Sequence, residues 1–181
     1  MSFEGERVRL CPVEPADFDK LVQWANDPEV NRFTHGDYPA TNEECLAWHR
    51  RVRENRQKQY HGITLKDGTL IGDVELDHIA WRSGDAELRI RIGERDYWDR
   101  GYGTDAVMCL LRHAFLKMNL ARVYLRVYSW NGRAIRCYEK CGFKKEGRLV
   151  RRDAVPPYRE IVLMRVTRDE FVGLGAKQAT G

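Results

Sequence analysis

The chain contains no C-x-x-C pair. Its five cysteines, Cys11, Cys45, Cys109, Cys137 and Cys141, are odd in number and unpaired in spacing, which argues against a disulfide framework and a thiolate zinc site. The histidines are scattered and never stand as H-E-x-x-H, so no metal site is expected. No run of about 18 apolar residues is present, and the opening MSFEGERVRLCPVEP lacks the apolar core of a signal peptide. A cytoplasmic protein without a membrane attachment is therefore expected. Neither a Pro/Ser-rich linker nor an internal repeat divides the chain. With 43% hydrophobic and 32% charged residues in a length of 181, what is there suits one packed domain with a solvated surface. Neither charge dominates: 31 basic residues stand against 27 acidic ones, a net +4. That balance favours an anionic ligand but is too weak to imply direct nucleic-acid binding. The densest basic cluster, residues 148–152, reads as a solvated hairpin.

Hydrophobic periodicity then predicts the elements. Residues 7–11 alternate as a short strand, and 17–26 carry Phe18, Leu21, Val22 and Ala25 at helical spacing until Asp27-Pro28 stops them. Thr41 and Glu44 form a capping box for a helix with the stripe Cys45, Trp48 and Val52. Residues 60–65 and 70–79 read as a hairpin through Lys66-Asp67-Gly68-Thr69. Residues 86–92 place Ala86, Leu88, Ile90 and Ile92 on one face and Glu87, Arg89 and Arg91 on the other. A helix from Gly101 to about Met118, a strand over 121–128 and a short helix ending at Cys141-Gly142 follow. Strands over 143–150 and 158–166 close the pattern. The order β-α-α-β-β-β-α-β-α-β-β predicts an α/β protein with a mixed, mostly antiparallel sheet and helices on both faces. A single domain over 1–172 and a flexible tail over 173–181 are expected.

Gly101-Tyr102-Gly103-Thr104-Asp105-Ala106 fits G-x-G-x-x-[G/A], but the context is wrong for a dinucleotide fold. A loop separates the strand from the first glycine, and no acidic residue stands about 20 positions on. Gly-Lys-Ser/Thr is absent too, which excludes a kinase-type P-loop. What remains is a glycine-rich helix start flanked by Arg95 and Arg100. Its free N–H groups and helix dipole suit a pyrophosphate, although a plain entry turn has the same sequence.

The segment Ala86-Glu87-Leu88…Ile92-Gly93…Tyr97-Trp98-Asp99-Arg100-Gly101-Tyr102-Gly103-Thr104-Asp105-Ala106 resembles the acetyl-CoA-binding motif of the GNAT superfamily of N-acetyltransferases. Asn131 through Phe143 is similar to their second motif, N-x-x-A-x-x-x-Y-x-x-x-G-F. The opening (Val8-Arg9-Leu10, then Asn26-Asp27-Pro28-Glu29-Val30) resembles the RimJ/RimL-like branch that acetylates ribosomal-protein N-termini, with spermidine acetyltransferases as close relatives. The likeness runs from about residue 6 to 170. It departs where Trp98 occupies the Gln/Arg position of Q/R-x-x-G-x-G/A, a place where that branch often carries an aromatic.

The resemblance implies a GNAT fold, acetyl-CoA as co-substrate and direct transfer to a primary amine. The implied cofactor site is Ile90, Arg91, Ile92, Trp98, Asp99, Arg100, Gly101, Tyr102, Gly103, Thr104 and Asn131. Glu87 is the implied base, acting through water or only positioning, and a surface ion pair is the alternative. Tyr138 is the implied acid for the leaving thiolate; core packing alone would also explain it. Asn131 doubles as a helix cap. A bulge at the end of strand 86–92 would aim an N–H at the thioester oxygen. Cys137 and Cys141 are expected as packing. The acceptor pocket is expected from Phe33, His35, Tyr38 and Tyr158. Trp24 and Asp37 are further candidates for its lining.

The branch resemblance makes a protein or peptide N-terminus the first expectation for the acceptor, and an α-amine with a pKa near 8, deprotonated more cheaply than an amine near 10, would need only a modest base. A polyamine is disfavoured by the lack of a carboxylate cluster in residues 32–38. An aminoglycoside or another small amine stays open, as do a non-catalytic acetyl-CoA sensor and a homodimer.

Overall fold

The computed structural model describes residues 1–34 and 38–179. The chain begins with strands β1 (Phe3–Glu4) and β2 (Val8–Cys11). A 3₁₀ turn over Pro15–Asp17 leads into helices α1 (Phe18–Ala25), α2 (Pro28–Asn31) and α3 (Asn42–Glu54). Strands β3 (Gln59–Leu65), β4 (Leu70–Ala80) and β5 (Asp85–Ile92) form a meander. Then come α4 (Tyr102–Leu116), β6 (Arg122–Tyr128), α5 (Gly132–Lys140), β7 (Lys144–Val150), β8 (Glu160–Thr167) and α6 (Arg168–Ala179).

One eight-stranded sheet results, ordered β1-β2-β3-β4-β5-β6-β8-β7. Every neighbouring pair is antiparallel except β5 and β6. The mixed sheet with helices on both faces is as expected. The apolar residues of α4, among them Val107, Leu110, Leu111 and Phe115, pack on Val8, Ile63, Val74, Leu88 and Val123. A smaller core (Phe18, Leu21, Trp24, Cys45 and Leu70) holds the first helices to the opposite face, with Trp48 and Tyr60 at its edge. Gly93 makes that approach possible, since a Cβ there would lie 2.0 Å from the Trp24 ring.

Several local expectations are corrected. Asp27-Pro28 does end the first helix, but it starts another: the Asp27 side chain accepts from the Glu29 N–H at 3.0 Å and caps α2. Thr41 caps α3 as expected, while Glu44 reaches the N–H of Ala40 at 2.7 Å rather than that of Thr41. Residues 173–179, expected as flexible tail, continue α6, whose Phe171 packs on Phe115 with ring centroids 5.4 Å apart. Two glycines in that segment masked the helical signal.

The N-terminal segment is tied to α4 by one carboxylate. Asp105, in the first turn of α4, accepts the backbone N–H groups of Glu6, Arg7 and Val8 at 3.0, 2.8 and 3.0 Å. Nearby, His61 is buried against Phe3, whose ring stacks on His113 at 3.8 Å. Burial, then the charges of His113 and the N-terminus, pull the His61 pKa down to about 4.

Between pH 6.5 and about 4 the unfolded chain therefore takes up a proton that the folded chain excludes, so stability falls as pH drops through that window. Urea titrations at pH 7 and 4.5 should show His61→Leu losing less stability on acidification than the parent, by about 2 kcal/mol at 1.36 kcal/mol per pKa unit. Equal losses in both proteins would contradict the assignment.

Candidate active site

Parallel pairing between β5 and β6 covers only Asp85–Arg122, Ala86–Val123 and Glu87–Tyr124. Beyond Glu87 the strands part, and β5 runs on to Ile92 with β4 alone beside it. Two cavities occupy the gap. The larger, about 290 Å³, extends from the free side of β5 to the start of α4 and along α5. The smaller, about 30 Å³, lies between Leu88–Ile90 and Arg126–Val127. Phe33, Thr34, Ile90, Asn131 and Tyr138 border both, so the two meet there.

At the start of α4, Gly101 adopts φ +84°, a left-handed conformation that favours glycine. The first helical hydrogen bond is Asp105 N–H to the Gly101 carbonyl at 3.1 Å, so the preceding amides are free to meet an anion. At Gly103 a Cβ would touch nothing closer than Ile92 at 3.8 Å. Packing within the protein does not demand that glycine, whereas a ligand close to the backbone would. The Trp98 indole N–H donates to the Ile92 carbonyl at 2.7 Å, anchoring the loop to the end of β5. These features fit a pyrophosphate followed by an extended arm lying along the unpaired strand.

Of the expected cofactor residues, Ile90, Arg91, Ile92, Trp98, Asp99, Gly101, Gly103, Thr104 and Asn131 border the larger cavity. Arg100 and Tyr102 do not. The Arg100 side chain donates to the Asp96 carbonyl at 3.1 Å, and Tyr102 lies beneath the guanidinium of Arg7 at 4.0 Å. Arg7 also donates to the Arg100 carbonyl. Arg133, Arg136 and Lys140, which sequence reasoning missed, add a basic face of α5 to the cavity. Their i, i+3, i+7 spacing was the available signal.

Asn131 accepts from the Ala134 N–H at 3.2 Å, so its capping role is real, and it borders both cavities as well. Tyr138 is 8% exposed and its hydroxyl bonds to no described residue. Burial, with the neighbouring thiols of Cys137 and Cys141, pushes its pKa well above the usual phenol range. Cys141 is buried as expected, but Cys137 borders the larger cavity, with the Thr104 hydroxyl 3.3 Å from its sulfur. Hydrogen bonds from Cys141 and Thr104 lower the Cys137 pKa against the effect of burial.

The other face of β4 and β5 carries a buried charged layer. Asp73 pairs with Arg91 and accepts from the Tyr60 hydroxyl at 2.6 Å. Lys58 lies 3.2 Å from Glu75 and 3.0 Å from Asp77. Arg89 reaches Glu75, Asp77 and Glu87 at 3.4, 3.6 and 3.6 Å. Glu87, whose side chain is 4% exposed, accepts from Arg126 Nε at 2.8 Å and lies 3.8 Å from His78 Nε2. Glu87 borders neither cavity. Burial raises the Glu75 pKa despite Lys58 and Arg89.

The remaining expectations separate. Phe33 borders both cavities and Tyr38 the smaller one, while Tyr158 borders neither and packs edge-on against Tyr128 at 5.2 Å. Trp24 belongs to the small core. His35 and Asp37 lie outside the described residues. The bulge expected at residues 90–92 is absent: the register from Gly72–Ile92 to Asp77–Glu87 is unbroken, and the irregularity lies at residue 78 of β4, where His78 takes φ +51°. The parting from β6 already frees the backbone side that a bulge was expected to expose.

A parted β5/β6 pair, followed by a glycine-initiated helix, defines an acyl-CoA N-acyltransferase architecture. The acetyltransferase (GNAT) domain model matches residues 7–144, and the chain belongs to that family. It is 28% identical over 167 residues to the spermidine N(1)-acetyltransferase of Escherichia coli K12, covering 91% of this chain and 88% of the relative. It is 27% identical over 148 residues to an uncharacterized N-acetyltransferase, p20, of Bacillus licheniformis, covering 80% and 83%. The crystal structure of spermidine N-acetyltransferase from Vibrio cholerae, in complex with CoA and spermine, superposes with a TM-score of 0.84 at 22% identity, over 92% of this chain and 98% of that one.

The thiol geometry carries a test. At neutral pH, iodoacetamide should alkylate Cys137 ahead of the four other cysteines, and acetyl-CoA should slow that reaction severalfold, roughly by its fractional occupancy. Peptide mapping by mass spectrometry reads both. Modification spread evenly over the five thiols would contradict the placement of Cys137.

Proposed function

We propose that this protein transfers an acetyl group from acetyl-CoA directly to the primary amine of a small molecule. The observation that carries this reading is the meeting of two cavities at Tyr138. One has the length and anion-binding end that a CoA arm needs, and the other gives an amine a separate approach. The polar face of the sheet supplies that approach. The named relatives that act on spermidine support a small amine as acceptor. A protein N-terminus, the acceptor expected from sequence, would reach the same junction.

Bound acetyl-CoA supplies a thioester carbonyl carbon as the electrophile. Ile90, Ile92, Asn131 and Ala134 line the channel that orients it, with the α4 amides, Arg136 and Lys140 at the phosphate end. The amine nitrogen bonds to the acetyl carbon and loses one proton to water, and the carbon–sulfur bond breaks. Tyr138 gives its hydroxyl proton to the departing sulfur and regains one from solvent, so protons balance. Burial keeps this phenol protonated throughout the physiological range. The same burial raises the proton affinity of the sulfur beside it, which narrows the mismatch between donor and acceptor. Arg89 and Arg126 border the amine side and disfavour an ammonium there, lowering the need for a dedicated base.

The test is acetyl transfer read by product mass against three acceptor pools: small primary amines including polyamines, aminoglycosides, and peptides with free Ser or Ala N-termini. A product heavier by one acetyl group is expected from a small-molecule pool; acetylation of peptides alone would overturn the small-amine assignment. Tyr138→Phe should lower kcat by about 10²-fold, in the range for loss of a general acid, while the KM for acetyl-CoA stays within about twofold. An unchanged kcat would remove Tyr138 from the chemistry.

A further inference from the structure

We propose that the acceptor amine carries a carboxylate within a few bonds of its nitrogen, and that Arg126, oriented by Glu87, binds that carboxylate. The inference rests on the acetyltransferase reading above and narrows its acceptor.

Among the described residues, the charged groups bordering the smaller cavity are Arg89 and Arg126, and no described lining residue is acidic. The carboxylates of this face stand behind the arginines and are matched one for one: Asp73, Glu75, Asp77 and Glu87 against Lys58, Arg89, Arg91 and Arg126. A polycation therefore meets no net negative field where the amine must arrive, and the nearest charges repel it. Arg89 has its Nε buried without a hydrogen-bond partner.

Arg126 is the better placed of the two to take an anion. Its Nε is committed to Glu87 at 2.8 Å, and neither Nη donates a hydrogen bond to a described residue. The Glu87 side chain is 4% exposed and the Arg126 side chain 42%, so a buried carboxylate fixes the near side of a guanidinium whose far side meets solvent. Two parallel Nη–H donors in that fixed plane match the two oxygens of a carboxylate. Glu87 is thus a positioning residue, which accounts for its absence from both cavity walls.

The experiment compares L-amino acids, each with its decarboxylated amine, and adds spermidine, all at saturating acetyl-CoA. The best amino acid should exceed its decarboxylated partner by about tenfold or more in kcat/KM, the scale of a charge-assisted pair. Arg126→Gln should raise the KM of the carboxylated acceptor about tenfold, with no rise in the KM of the decarboxylated amine, which has no carboxylate to lose. Glu87→Gln should also act through the KM of the carboxylated acceptor, whereas loss of a general base would lower kcat for both acceptors alike. Acetyl-CoA affinity, measured by calorimetry, should be unchanged in both variants and reports that they fold.

Preference for spermidine or for the decarboxylated amines overturns the proposal, and so does equal loss with both acceptor types in Arg126→Gln. Turnover of no acceptor by a protein that binds acetyl-CoA overturns it too. Failure to bind acetyl-CoA overturns the parent reading instead.

Discussion

Parallel pairing of β5 with β6 lasts three residues, and the site follows from where it stops. A strand with a neighbour on one side only must satisfy its remaining N–H and C=O groups elsewhere. In this protein β4 holds β5 in strict register to Ile92, so the strand cannot curl to follow β6. Trp98 meets the terminal carbonyl with its indole N–H, and the rest of that side faces a cavity. The helix that begins at Gly101 starts beside the end of that free side. Asn131 and Tyr138, from the turn and helix after β6, reach the gap from its other wall. Channel, anion seat and acid are consequences of one failure of pairing.

The charged layer obeys a different constraint. Carboxylates and guanidinium groups this poorly exposed are tolerated because each has a partner, and removal of one partner from such a pair typically costs about 3–5 kcal/mol. Arg91 shows how complete the enclosure is. It pairs with Asp73, lies 3.8 Å over the Tyr38 ring and 5.4 Å from that of Trp24, and so joins the sheet to the first helices. The layer holds β4, β5 and β6 in one electrostatic unit and leaves the half-exposed Arg126 as the member able to accept a further partner.

Much of this architecture was legible from local pattern. The capped start of α5, the glycine start of α4 and the alternation of β5 are short-range signals, and each emerged within a residue or two of expectation. The two-motif resemblance identified the family and most residues along the larger cavity. What escaped was non-local. The alternation of β5 puts Arg89 and Arg91 on the face of Glu87, whereas its closest partner, Arg126, comes from the strand across the parallel pair. The carboxylate cluster lacking in residues 32–38 stands on β4 instead, where Asp73, Glu75 and Asp77 share one face at the two-residue period of a strand. That alternation is present in GDVELD, where apolar Val74 and Leu76 stand between the carboxylates. His78 in the left-handed region, which breaks the β4 register, has no sequence cue of the kind a glycine would give.

Asp105 holds residues 97 to 99 positions away, and those residues join β1 to the start of β2. As the chain is made from its N-terminus, this segment emerges long before its anchor exists. Until α4 has left the ribosome, β1 and β2 have neither the carboxylate that fixes them nor the apolar face of α4 on which Val8 and Leu10 rest. The start of α4, which carries the anion seat, is thereby coupled to the order of the segment that joins β1 to β2. An N-terminal fusion partner would accordingly be felt at the start of α4, although nearly a hundred residues of sequence lie between.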